Sequence, residues 1–179
     1  EIGCSGAACD VTDEAQIKAL VARTEAELGP IALFCSNAGV LDVDPDIDDA
    51  TSASNAAWER SWRVNVMAHV FAARAVLPGM KARGEGHFLH TVSAAGLLSQ
   101  IGSGPYSVTK HAGIGFAEHL AIAHRDDNIR VSMLCPQGVD TAMIRTGGDK
   151  PHPALMDGVL SPDAVAACAV AGIKEDRFL

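Results

Sequence analysis

The run Ile31-Ala32-Leu33-Phe34-Cys35, followed directly by Ser36-Asn37-Ala38-Gly39, decides how this chain folds. Five apolar residues bounded by Gly29-Pro30 and by a small polar loop predict a strand buried on both faces. Strands of that kind belong to parallel sheets covered by helices. Two further runs have the same form. His87 to Val92 leads into Ser93-Ala94-Ala95-Gly96, and Ile129 to Cys135 leads into Pro136-Gln137-Gly138-Val139-Asp140-Thr141. Ala7-Ala8-Cys9 is a shorter strand candidate.

Helical stretches separate these runs. Thr12 or Asp13 can cap a helix from about Glu14 to Leu28, ended by Gly29-Pro30. A long helix is expected from near Asn55 to Leu77, where Pro78-Gly79 interrupts it. Pro105 suits the first turn of a helix reaching about His124, because its missing N–H costs nothing there. Pro162 and Asp163 open a last helix to about Ile173, and Arg177-Phe178-Leu179 reads as the start of another strand. Alternating strands and helices imply an α/β fold with a doubly wound parallel sheet, in one domain over residues 1–179. Ligands of such sheets bind beyond the carboxyl ends of the strands, so the three loops above are where chemistry is expected.

Composition narrows the function. Net charge is −8, which disfavours a nucleic-acid partner, and no Lys/Arg run suggests an anionic membrane surface. The longest apolar stretch, Ala164 to Ile173, is too short to cross a bilayer. Five cysteines without a C-x-x-C pair read as reduced thiols of a cytoplasmic protein, with Cys35 and Cys135 expected as small buried hydrophobes. The histidines form no metal pattern; His87 and His90 lack a completing Cys or acidic ligand.

Tyr106, the single tyrosine, lies four residues before Lys110 on one helix face. A phenol is a weak base at neutral pH, and a neighbouring ammonium favours the phenolate and lowers its pKa. The pair suits proton exchange with a carbonyl or alcohol, although the spacing alone is common on helix surfaces.

The stretch Tyr106-Ser107-Val108-Thr109-Lys110-His111-Ala112 resembles the active-site helix of the short-chain dehydrogenases/reductases. Ser93, thirteen positions before Tyr106 at a strand end, resembles the family's catalytic serine. Asn37-Ala38-Gly39 is similar to its Asn-Ala-Gly turn, Asn65 to its helix asparagine, and Cys9-Asp10-Val11-Thr12 to its Asp-Val segment. Pro136 to Thr141 resembles its Pro-Gly loop, with Gln137 inserted between Pro136 and Gly138. The resemblance implies a Rossmann-like sheet and hydride transfer between NAD or NADP and a secondary alcohol or ketone. It implies Tyr106 as acid/base, Lys110 lowering the tyrosine pKa and bonding the cofactor ribose, Ser93 on the substrate oxygen, and Asn65 holding a water. It also places Asp10 and Val11 at the adenine, Asn37, Ala38 and Gly39 near the ribose, and Pro136, Gly138, Val139 and Thr141 beside the nicotinamide. A homodimer or homotetramer is implied as well.

Three of these residues have plainer alternatives: Asn65 as a backbone latch, Ser93 as a helix or turn cap and Asp10 as a helix cap. The family's glycine-rich phosphate turn does not appear in the chain. The expectation is therefore an incomplete sheet, lacking the first two strands and the last, in a partial sequence of a longer enzyme. The segment that sets NAD against NADP lies with the missing strands. A non-catalytic scaffold, or a fragment that binds no cofactor, is the alternative reading; a dehydratase or epimerase of the extended branch is a further one, disfavoured by the Asn-Ala-Gly turn. A substrate lid is expected at about residues 142–160, where Met143, Ile144, Leu155 and Met156 suggest an apolar wall.

Overall fold

A computed structural model describes residues 4–145 and 158–179. Three parallel strands form one sheet in the order β1-β2-β3: β1 (Leu33–Ser36), β2 (Gly86–Thr91) and β3 (Ile129–Leu134). The helices are α1 (Glu14–Leu28), α2 (Asn55–Trp62), α3 (Ala68–Arg83), α4 (Gly104–Ala123), α5 (Ala142–Arg145) and α6 (Pro162–Lys174). The arrangement is the α/β architecture read from the sequence, a three-stranded part of a Rossmann-like sheet with helices beside it.

Register sorts the side chains onto two faces. Phe34 pairs with Phe88 and Phe88 with Val131, and Ser36 pairs with His90 and His90 with Met133. With a period of two, these residues share the face that meets α3 and α4. There Phe88, Val131 and Met133 join Val76 and Met80 of α3 and Ala117 and Leu120 of α4 in the buried core. Ile17 and Val21 of α1 extend that core behind α3. On the opposite face Leu33 and Cys35 are exposed, so β1 is not buried on both faces as its apolar run suggested. It is an edge strand, covered by α3 on the Phe34 face and exposed on the face of Leu33 and Cys35.

Local chemistry explains the helix ends. Asp13 caps α1, its carboxylate accepting from the backbone N–H of Ala15 and Gln16. Ser161 caps α6 through Ala164 N–H. Helix α3 runs on through Pro78 to Arg83 and ends at Gly84 in the left-handed region (φ 66°), rather than stopping at Leu77. Proline costs a helix about 3 kcal/mol, but fully burying a residue such as Val76 or Met80 gains about 1.5–3 kcal/mol each, which offsets it. Between α2 and α3 the helix widens into a π turn over Arg63–Met67, where Ala68 N–H reaches back to Arg63 O. Ala7-Ala8-Cys9 forms no strand, since no described strand lies beside it to accept its hydrogen bonds. Phe178 O accepts from Met133 N–H along the outer edge of β3 without completing a strand.

One core contact is polar. His69 of α3 and His90 of β2 are almost fully buried, with their Nδ1 atoms 3.0 Å apart. One ring must donate and the other accept, so the pair is neutral. Neither Nε2 has a hydrogen-bond partner among the described residues. Burial, with His90 and Lys110 nearby, pushes His69 down to about 3; burial pushes His90 down to about 4. Both lie below the ordinary 6.5, so as pH falls the unfolded chain takes up protons before the folded one. Stability held above pH 6.5 is therefore lost progressively as pH drops toward the folded-state values of about 4 and 3. Denaturant unfolding of the full-length protein across that window should show a clear slope, and a His69→Leu/His90→Phe double variant a flatter one; equal slopes would contradict this origin.

Candidate active site

The carboxyl ends of β2 and β3 are joined beyond the strands themselves. Val92 N–H donates to Leu134 O (2.8 Å) and Ala94 N–H to Pro136 O (2.9 Å). Ser93 is buried at this seam, and its hydroxyl also accepts from Ala95 N–H at 3.1 Å. Gly138 and Asp140 bond to the backbone of Leu160, which ties the loop after β3 to the approach to α6. Neither Ser93 nor Cys135 is free to drift relative to the sheet.

Helix α4 brings Tyr106 and Lys110 to the same seam. The Ser93 side chain lies near enough to the Tyr106 phenol to favour its phenolate. Lys110 places its Nζ 5.4 Å from the Tyr106 ring centroid. Both side chains are buried, Tyr106 at 7% and Lys110 at 4% exposure. The only hydrogen bond of the Lys110 ammonium among the described residues is a long one, 3.4 Å, to Thr91 O at the end of β2. Burial pushes the lysine down to about 8. It also pushes the Tyr106 phenol above its ordinary value, and the Ser93 side chain works the other way. The lowering of the phenol by Lys110 that the spacing suggested does not appear. The ammonium faces the ring in this arrangement, and desolvation of the phenolate is the larger effect.

Two features support that lysine. Gly96, in the short 3₁₀ turn Ala94–Gly96, lies against α4, and a Cβ there would meet Lys110 O at 2.8 Å and Ile114 Cδ1 at 2.9 Å. Gly39, in the loop after β1, passes so close that a Cβ would lie 3.4 Å from Lys110 Nζ and 3.5 Å from Asn65 Oδ1. Asn65 itself sits in the π turn, fully buried. Its Oδ1 accepts from Val40 N–H (2.9 Å), and its Nδ2 donates to Val40 O (3.0 Å) and to Thr109 Oγ1 (3.1 Å). The side chain is a latch between the loop after β1 and α4, with the loop backbone as its partner.

The residues named from the sequence divide into two groups. Ser93, Tyr106, Lys110, Asn65 and Gly39 come together, and Pro136 joins them through Ala94. Asn37 and Ala38 are exposed just ahead of Gly39. Gly138, Val139 and Thr141 follow in the loop after β3, with Gly138 buried and Val139 bridged to Leu160. Asp10 and Val11 stand apart, since no described hydrogen bond links them to this group. The Asp10 carboxylate accepts from Thr12 N–H and Oγ1, and it is Asp13, not Asp10, that caps α1. Cys35 is exposed and Cys135 half-buried, so neither is the fully enclosed hydrophobe expected. Of the lid residues, Leu155 and Met156 lie outside the described residues, while Met143 is exposed in α5. A groove of about 510 Å³ runs from Leu97 and Pro136 past Leu160 to Cys168 of α6. Thr91, Gly96 and Thr109 were given no role from the sequence, although Gly96 and Thr109 stood inside quoted stretches, and Cys135 was read only as a buried hydrophobe.

The short chain dehydrogenase family model matches residues 3–151. A 1-deoxy-11-beta-hydroxypentalenate dehydrogenase of Streptomyces exfoliatus is 34% identical over 170 residues, covering 94% of this chain and 61% of its own. A short-chain dehydrogenase/reductase of Penicillium canescens is 32% identical over 139 residues, covering 77% of this chain and 53% of its own. Epidermal retinol dehydrogenase 2 of Mus musculus is 29% identical over 175 residues, 96% of this chain and 55% of its own. The chain belongs to the short-chain dehydrogenase family. It spans a little over half the length of these relatives.

The glycine under α4 gives a direct test. Gly96→Ala forces a methyl group into the Lys110 backbone, and overpacking of this kind costs about 1–3 kcal/mol. Denaturant unfolding should show that loss; a change under about 0.5 kcal/mol would mean α4 is not seated on Gly96.

Proposed function

We propose that this chain carries the catalytic site of an NAD(P)-dependent oxidoreductase acting on a secondary alcohol or ketone. The observation that carries the reading is the convergence of the Ser93 hydroxyl, the Tyr106 phenol and the Lys110 ammonium at the carboxyl edge of the sheet.

The site fits a dinucleotide at one point above all. A buried ammonium with one long hydrogen bond has donors to spare, and the loop at Gly39 leaves it uncovered by any Cβ. Ribose hydroxyls are acceptors of the right kind. Lys110, Tyr106 and Asn37 to Gly39 would hold the nicotinamide ribose; Pro136, Gly138, Val139 and Thr141 would flank the nicotinamide; Asp10 and Val11 would meet the adenine. When bound, the cofactor supplies or accepts the hydride. NAD and NADP fit this part of the site equally.

The chain's own residues do the remainder. Ser93 donates a hydrogen bond to the substrate oxygen and orients the carbon that changes oxidation state. Tyr106, its pKa raised by burial, is a neutral phenol at physiological pH and so stands ready to give its proton to a ketone oxygen. In the oxidative direction it takes that proton back, and the Lys110 ammonium steadies the phenolate that precedes this step. Asn65 keeps the loop and α4 in register through Val40 and Thr109. Exposed Trp62, Val108 and Ile122 on α2 and α4 are where a homodimer or homotetramer would pack. The cysteines of the described residues are free, which suits a cytoplasmic setting, and no helix among those residues is long and apolar enough to cross a membrane. Residues 1–179 would form one cofactor-binding domain; most of the expected lid at about 142–160 lies outside the described residues.

Nicotinamide absorbance with a panel of apolar secondary alcohols and ketones tests this in the full-length protein. Tyr106→Phe should lower kcat by about 10²–10⁴-fold while leaving the cofactor's dissociation constant within a few-fold. Turnover by the variant at the wild-type rate would overturn the assignment.

A further inference from the structure

We infer that Asp44 is a positioning residue for Tyr106, holding the first turn of the active-site helix from a loop sixty residues upstream; the inference rests on the oxidoreductase reading above. Helix α4 starts without a cap of its own, because Ser103, at its N-cap, makes no capping bond and its hydroxyl accepts instead from Gln100 Nε2. Pro105 has no N–H to offer. The first N–H that needs a partner is that of Gly104, and Asp44 takes it with both carboxylate oxygens, at 3.1 and 2.9 Å.

Asp44 is held as firmly as it holds. It is buried, at 8% exposure, and its own N–H donates to Gly102 O at 2.9 Å. Gly102 has φ +79°, a conformation side chains rarely adopt, and a Cβ there would lie 3.0 Å from Ile47 Cγ1. The loop carrying Asp44 and Ile47 thus clasps Gly102 and Gly104 on both sides of Ser103. A carboxylate is costly to bury unless it is hydrogen-bonded, and a helix N-terminus is where an anion is most stable. Tyr106 is two residues beyond the bonded N–H, in the same turn. A shift of that turn moves the phenol relative to Ser93, which the seam between β2 and β3 keeps still. The reacting groups then lose alignment while the loops that hold ligand remain in place.

This separates Asp44 from an ordinary stabilising contact. In the full-length enzyme, Asp44→Ala should speed amide exchange across residues 103–107, read by mass spectrometry, and lower kcat about tenfold or more with KM values within about threefold. Asp44→Asn keeps an oxygen acceptor for Gly104 N–H and should bring both readouts back toward wild type. Gly102→Ala strains the same clasp from the other side and should reproduce the kcat-selective loss, which covers the case of an Asp44→Ala protein that does not fold. Unchanged exchange at 103–107 in Asp44→Ala or Gly102→Ala would overturn the inference, as would altered exchange with kcat within twofold of wild type, or a loss that Asp44→Asn does not relieve. If wild type turns over no alcohol or ketone, the oxidoreductase reading fails on its own, and the exchange measurement still reports whether Asp44 holds the helix.

Discussion

A lysine ammonium withdrawn from water at the carboxyl edge of a parallel sheet is the constraint on which this site depends. Burial of Lys110 is unfavourable for the charged form, and the protein meets it with one carbonyl, Thr91 O, and the face of the Tyr106 ring. What remains is an unspent capacity to donate hydrogen bonds in a place reached by the loop after β1. The supporting structure reads as a set of devices that keep that ammonium where it is. Gly96 lets α4 approach the turn after β2, and the loop after β1 passes beside the nitrogen at Gly39. Asn65 ties that loop to Thr109, one residue before the lysine.

The parallel sheet supplies the other half. Its strands end together, so the residues just past β2 and β3 lie side by side and continue to bond after the strands stop. Ser93 is fixed by this continuation, through its neighbours Val92 and Ala94. Tyr106 arrives from a separate element, the helix. The site is therefore an encounter between a rigid seam and a helix end, and the precision of that encounter lies in how the helix end is held.

Much of this was legible in the sequence where the signal is local. Asp13, one of the two cap candidates, caps α1, and Pro105 and Pro162 sit in the first turns of α4 and α6. The strands fall within one or two residues of their apolar runs, and the four-residue spacing of Tyr106 and Lys110 does place both at one site. The features that were not legible depend on partners chosen by tertiary structure. An apolar run reports that a strand is hydrophobic, not that Leu33 and Cys35 lack a cover. Pro78 reads as a helix end until Val76 and Met80 are seen buried on both sides of it. Asp44 is one aspartate in a loop full of them, and nothing near it in sequence marks it as the one that turns inward. His69 and His90 gave no motif, because their pairing is a contact across twenty-one residues.

The charge state of Lys110 Nζ can be read directly. Selective ¹³C-methylation of lysines, followed by NMR titration of the full-length protein with Lys110→Arg as the assignment control, gives the Lys110 pKa. A value depressed to about 8, well under the 10.5 of an exposed lysine, is the result this structure requires. A Lys110 signal titrating near 10.5 would place the ammonium in solvent and contradict the site as described.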